Sequence, residues 1–266
     1  MTLRFTILGC GSSTGVPRID GNWGVCDRTN PKNRRRRCSL LVERYAGDKR
    51  TAVLIDTGPD LREQIIDSGV DWLDGVLYSH DHADHAHGID DLRILAYRGR
   101  RRIDVYFDEA TGAIVQHRFD YCFQTPEGSS YPPIVKAHTI RAGEAVTVDG
   151  AGGPITAMPF LQRHGDIESL GFRLGGLAYS SDLNDLAEET LPHLQGLDVW
   201  IVDALRYTKH PSHFSVDDAL SWIERLRPKR AILTHLHIDL DYETLRCDLP
   251  EGVEPAYDGM RFELPD

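Results

Sequence analysis

The chain has 266 residues, enough for one large α/β domain or two small ones, and long enough to bury a core without disulfides or a structural metal. A formal net charge of −11 argues against a stable nucleic-acid partner, because phosphate contacts need clustered Lys and Arg. Its five cysteines (Cys10, Cys26, Cys38, Cys122 and Cys247) are odd in number and form no CxxC pair, which argues against a disulfide framework and a Cys-rich zinc site and fits a reducing, cytoplasmic location. No signal peptide is expected, since the opening apolar run is short and lacks a cleavage pattern, and no membrane span, since no apolar run approaches ~18 residues.

Taken in chain order, Leu3 to Gly9 alternates and reads as a strand that ends in a Gly-Cys-Gly-Ser-Ser turn. Residues 11–37 are rich in Gly, Pro, Asn and Arg and read as a long loop, which inside a compact domain is usually functional. Residues 38–44 and 51–56 read as paired strands, 60–68 as a short helix and 75–79 as an apolar strand. His80 to His87 then forms a loop, and 90–97 a helix. Further on come a strand at 103–107, a helix at 110–117 and an aromatic, Pro-rich stretch at 121–135 without clear period. Strands follow at 145–149, 155–160, 170–174 and 177–180. A helix is expected near 185–194, a strand at 198–203, a helix at 215–226 and a strand at 229–234. A helix near 241–248 leads to a last strand ending near Leu264. No linker interrupts this pattern, which suggests one domain, 1–266, with two β-sheets face to face and helices outside.

The decisive segment is Tyr78-Ser79-His80-Asp81-His82-Ala83-Asp84-His85-Ala86-His87-Gly88, with four His and two Asp in eleven residues directly after an apolar strand. Side chains of a strand-end loop can converge, whereas those within a strand alternate between faces. His80 and His82 can face one metal, and Asp84 and His85 a second. Nitrogen and carboxylate donors without thiolate suit zinc, iron or manganese in an open site. Asp56, at the end of an apolar strand, either orients a ligand histidine through its other ring nitrogen or caps the helix that follows.

His80 to His85 matches the HxHxDH signature of the metallo-β-lactamase superfamily, and other features resemble that family in the right order. These are Leu54-Ile55-Asp56-Thr57-Gly58, Gln162-Arg163-His164, Tyr179-Ser180-Ser181-Asp182 and Leu233-Thr234-His235. Gly15-Val16-Pro17, Arg37-Cys38-Ser39, Ser212-His213 and Tyr257-Asp258-Gly259-Met260 are similar to a subgroup of cyclic phosphate phosphodiesterases associated with phosphonate breakdown. The chain departs from that subgroup in having only Cys26 where the subgroup has a cysteine cluster that helps bind a separate structural zinc. A third metal is therefore not expected.

The resemblance implies an α/β fold, a four-layer αββα sandwich of the metallo-β-lactamase type, and two divalent metal ions, Zn2+ or Mn2+. His80, His82 and His164 would hold one ion, and Asp84, His85 and either His235 or His237 the other, with Asp182 between them. A water shared by two such cations is deprotonated near neutral pH, and paired cations suit displacement at phosphorus. Asp84, Asp182 and His213 are the candidate catalytic residues. His213 would protonate the leaving oxygen or hold a phosphate oxygen, unless it is a surface histidine at a helix start. Ser212 and Arg37 are candidate substrate-binding residues. The run Arg34 to Arg37 either attracts a phosphate or is a solvated loop.

The expected activity is hydrolysis of a small cyclic phosphate or nucleotide by a phosphodiesterase. The alternatives are a thioesterase, a tRNA-processing nuclease, or a non-catalytic protein resembling the carrier of pyrroloquinoline quinone synthesis. The expected partner is a small phosphodiester or nucleotide, and a homodimer is left open.

Overall fold

The computed structural model describes residues 2–265. One sheet begins with the antiparallel strands β1 (Thr2–Gly9), β2 (Ser39–Ala46) and β3 (Lys49–Ile55) and continues through the parallel β4 (Gly75–Leu77), β5 (Ile103–Phe107) and β6 (Val135–Thr139). The second contains β7 (Val146–Val148), β8 (Ile155–His164), β9 (Ile167–Leu174), β10 (Leu177–Ser180), β11 (Val199–Asp203), β12 (Arg230–Thr234) and β13 (Val253–Pro255). The last strand, β14 (Met260–Pro265), returns to the first sheet and pairs with β1. Both sheets are seven-stranded, in the orders β14-β1-β2-β3-β4-β5-β6 and β13-β12-β11-β10-β9-β8-β7.

Strands buried on both faces explain the nearly continuous apolar runs in the sequence. Leu40, Val42, Val53 and Ile55 point inward and meet Leu170, Phe172, Leu177 and Ile201 of the other sheet. Leu41, Leu54, Val76 and Val105 point outward beneath α1 (Leu61–Ser68), α3 (Leu92–Gly99) and α4 (Glu109–Arg118), where Leu61, Leu92, Ala96 and Val115 cover them; the short α2 (Ala83–Ala86) precedes α3 and α5 (Asp120–Phe123) follows α4. On the far side Trp200, Val202 and Leu233 pack under a 3-10 segment at Glu188–Leu194, α6 (Val216–Leu226) and α7 (Tyr242–Asp248). The layers therefore run helix, sheet, sheet, helix, as expected.

Four local differences have physical reasons. The expected loop at 80–87 contains the one-turn helix α2. The segment at 188–194 is a 3-10 helix rather than an α-helix, and Pro192 inside it denies an α-helical hydrogen bond. Strands β6 and β13 were hidden because both are edge strands, one following Pro132-Pro133 and one only three residues long. Among the described residues no helix is long and apolar enough to cross a membrane, and the five cysteines are free.

The long loop after β1 is tied to the body by polar contacts. Asn33 is fully buried; its amide donates to the Asp27 carbonyl and to Asp241 Oδ2 (2.6 Å), and its oxygen accepts from the Tyr242 N–H (2.8 Å) and Arg35. Arg35 is only 1% exposed and donates to the His237 carbonyl. Arg36 pairs with Asp258 and Asp67, and Arg37 with Asp60. The Arg34–Arg37 run is thus neither a solvated face nor a free anion trap, since three of its guanidiniums tie the loop to the body. Replacing Asn33 with Ala strands several buried partners at once. It should destabilise the protein by about 1–3 kcal/mol in urea titrations and leave its metal content intact.

Candidate metal centre

The site forms where the parallel strands of both sheets end, the usual position for ligands in open α/β sheets. Asp56 follows β3, Ser79 and His80 follow β4, His164 ends β8, Asp182 follows β10, Asp203 ends β11 and His235 follows β12. Two of these residues take left-handed backbone conformations, Asp56 at φ 65° and His235 at φ 59°. Each such conformation costs about 1–3 kcal/mol in a non-glycine residue, and here each breaks the strand's alternation at the site. The His-rich loop closes on the turn after β3 through Thr57 N–H to His85 O (2.7 Å) and Gly88 N–H to Thr57 O (2.7 Å). The approach is so close that a Cβ on Gly58 would lie 2.2 Å from the Asp84 carbonyl oxygen.

Two adjoining donor groups result. In one, donor atoms of His80, His82 and His164 lie within 4.8 Å of one another; in the other, those of Asp84, His85, Asp182 and His235 do. Asp182 faces both groups. Its Oδ2 is 3.9 Å from His80 Nε2 and 3.7 Å from His164 Nε2, and its Oδ1 is 3.1 Å from His85 Nε2. Asp84 Oδ2 stands 3.4 Å from His85 Nε2 and 3.8 Å from His235 Nε2.

The outer nitrogens of several rings are fixed by partners. His85 Nδ1 donates to Asp56 Oδ2 (2.8 Å). The Ser79 hydroxyl donates to the same carboxylate oxygen (2.7 Å), so its lone pair is left to accept from His80 Nδ1 (3.0 Å). One buried carboxylate thereby fixes the tautomer of a histidine in each group. His164 Nδ1 donates to the Ser212 carbonyl (2.7 Å), which can only accept. With these protons placed outward, the Nε2 lone pairs of His80, His85 and His164 face inward, as metal ligation requires.

The inward atoms pass a chemical test for cation binding. His80 Nε2, His85 Nε2, His235 Nε2 and Asp182 Oδ1 are buried without a hydrogen-bond partner. Leaving such atoms bare is costly unless something accepts their lone pairs. Electrostatics agree. Burial opposes charge on His85, but Asp182, Asp84 and Asp56 outweigh it and hold its pKa well above the ordinary value. Burial would raise Asp182, yet His235 and His85 hold it well below the usual carboxylate range. Burial lowers His164 to about 4. Concentrated anionic and lone-pair donors in a dry site are what a divalent cation satisfies.

Each sequence-derived candidate can now be placed. His80, His82, Asp84, His85, His164, Asp182 and His235 come together. His237 does not: the left-handed turn at His235 cancels the two-residue alternation that would have put both rings on one side, and His237 instead meets Arg18 and Asp239. Asp56 orients a histidine and does not cap α1, whose N-cap residue is Asp60. His213 lies at the site and not on the surface, with Nδ1 2.7 Å from Asp203 Oδ2 and its ring stacked on His235 at 4.5 Å. Ser212 contributes its carbonyl, while its hydroxyl turns to His210 (3.1 Å). Arg37 is committed to Asp60 (2.9 Å). In the aromatic stretch at 121–135, which the sequence did not assign to the site, Tyr131 is exposed, Tyr121 lies beside Arg93, and Phe123 packs on Phe107.

Two residues were missed. Ser79 gave no signal beyond its place in the motif. Asp203 could have been found, since Ile201-Val202-Asp203 repeats the pattern of Leu54-Ile55-Asp56, an apolar strand ending in a buried Asp.

Comparison with known proteins places this architecture. A model of the beta-lactamase superfamily domain matches residues 51–236, and the chain belongs to that family, with the metallo-β-lactamase fold. Within it the chain is PhnP-like: a solved diphosphatase of the PhnP family is 35% identical over 99% of this chain and 98% of its own, with a TM-score of 0.87. Zn2+-bound PqqB from Methylobacterium extorquens shares the fold at 19% identity and a TM-score of 0.75, over 98% of this chain and 100% of that one. An octanoyltransferase of Porphyromonas gingivalis is 33% identical over 97% of this chain, which spans only 51% of that relative's length.

The carboxylate and the histidine pair at the strand ends generate two expectations. Asp56→Ala, by releasing His85 and His80, should weaken divalent-metal affinity about 10–100-fold, read by competition with a chromogenic chelator. Elemental analysis should show metal lost in His235→Ala and retained in His237→Ala. The reverse result would redraw the second donor group.

Proposed function

We propose that this protein is a phosphodiesterase acting on a small cyclic phosphate or nucleotide at a dinuclear site. The observation that carries this reading is the Asp182 carboxylate set between two donor groups, with the His213–Asp203 pair beside it. The likeness to a PhnP-family diphosphatase supports chemistry at phosphorus. The acyl-transfer name of the Porphyromonas relative is not carried over, because this chain spans about half of that protein.

In this reading His80, His82 and His164 hold one divalent cation, Asp84, His85 and His235 a second, and Asp182 serves both. Zinc and manganese suit these nitrogen and carboxylate donors. Bound there, the pair would supply Lewis acidity to water and to the phosphoryl oxygens. The chain's own residues do the rest. Asp56 and Ser79 keep the histidine lone pairs inward. Asp203 accepts from His213 Nδ1, which leaves His213 Nε2 as the ring atom that can carry a proton to a leaving oxygen. Burial lowers the His213 pKa, and Asp182 and Asp84 pull it back upward.

Two assays test this. The metal-loaded protein should hydrolyse bis-p-nitrophenyl phosphate, lose that activity on chelation and regain it with Zn2+ or Mn2+. Absence of turnover with every divalent metal sinks the phosphodiesterase reading. His213→Ala should keep its metal and lose roughly two to four orders of magnitude in kcat on an alkyl phosphodiester, the usual worth of general acid catalysis. The loss should shrink for the p-nitrophenyl ester, whose leaving group departs without a proton. Equal losses on both would assign His213 to phosphate binding.

A further inference from the structure

Beside the donor groups the histidines continue outward as a ladder. His213 stacks on His235 at 4.5 Å, and His210 lies 5.2 Å beyond His213 toward solvent. Two arginines flank the end of this ladder, Arg18 from the loop after β1 and Arg206 from the loop after β11. Neither forms an ion pair with a carboxylate among the described residues, although acidic residues outnumber basic ones by 41 to 30.

Arg18 is half-buried, and its Nε is buried without a hydrogen-bond partner. Its Nη2 donates to His237 Nε2 (2.5 Å), and His237 Nδ1 faces Asp239 (2.9 Å). An arginine cannot accept a proton bond, so Nε2 is the lone-pair side of a neutral imidazole. Asp239 and His237 thus aim the guanidinium without neutralising it. Arg206 is pinned by its own loop, through Nε to the Thr208 carbonyl (3.2 Å) and Nη2 to the Lys209 carbonyl (3.0 Å), and both contacts leave its charge intact. Arg206 lies near enough to His210, His213 and His237 for its charge to act on all three rings.

A planar guanidinium that is oriented, partly desolvated and unpaired is a phosphate-seeking group. We infer that Arg18, Arg206 and His210 form an anion subsite at the mouth of the metal centre, which holds a second phosphoryl group next to the one being cleaved. The inference rests on the phosphoesterase reading and narrows it: the substrate is a diphosphate diester.

The test compares two substrates on the metal-loaded protein, bis-p-nitrophenyl phosphate with one phosphoryl group and a symmetric dinucleoside diphosphate with two. The unaltered protein should show the lower KM for the diphosphate. Arg18→Gln and Arg206→Gln should each raise that KM about 10–100-fold, the worth of one charge-assisted hydrogen bond, with a much smaller change in KM for bis-p-nitrophenyl phosphate. Arg18→Lys, which keeps the charge, should recover part of the loss. Thermal unfolding midpoints close to that of the unaltered protein show that the variants fold. If bis-p-nitrophenyl phosphate is turned over but the diphosphate gains nothing, or both KM values rise alike in the variants, the subsite is overturned and the phosphodiesterase reading stands. Turnover of neither substrate removes both.

Discussion

Burying imidazoles and carboxylates at one spot is tolerable only if every outward atom is satisfied and every inward atom awaits a cation. Asp56 is the clearest expression of that constraint. It accepts from the Ser79 N–H and hydroxyl and from His85, and so fixes the turn after β3, the start of the His-rich loop and two ring tautomers together. Asp203 plays the corresponding part in the second sheet, receiving the Leu183 N–H and His213. Each of the two sheets thus contributes one strand-end carboxylate whose work is orientation.

The same constraint links folding to binding. Four buried inward atoms lack partners, and each bare atom costs about 1–3 kcal/mol. Two left-handed residues add strain. A ligand that binds only the folded chain relieves this cost and stabilises it by mass action. Precision at the centre therefore depends on the rigidity of the layers behind it, where Leu54, Val76 and Ile201 are fully buried.

Much of this was legible in the sequence, because motif and fold speak the same language there. The run from His80 to His85 after an apolar strand named His80, His82, Asp84 and His85, the resemblance named His164 and Asp182 and left His235 open against His237, and apolar runs of strand length separated by helical segments revealed the layers. What could not be read depends on φ angles and on contacts between distant residues. The two-residue spacing of His235 and His237 looks like strand alternation, and only the backbone reversal at His235 separates their fates. The Arg34–Arg37 run looks like a solvated face, yet Arg35 is buried against the His237 carbonyl, which comes from a distant part of the chain. Edge strands such as β13 carry too few residues to show a period.

The pairing of β1 with β14 has a consequence for how the protein is made. Thr2 lies opposite Pro265, so β1 waits for a strand far along the chain before its sheet is whole. Until residues 260–265 emerge, β1 presents an open hydrogen-bonding edge, and Phe5 lacks the Phe262 ring that stacks on it at 5.6 Å. A contact of such sequence separation is slow to form. Between the synthesis of β1 and that of β14 the chain therefore passes through a stage with one sheet still unclosed, when misassociation between chains is most costly and chaperone shielding most useful.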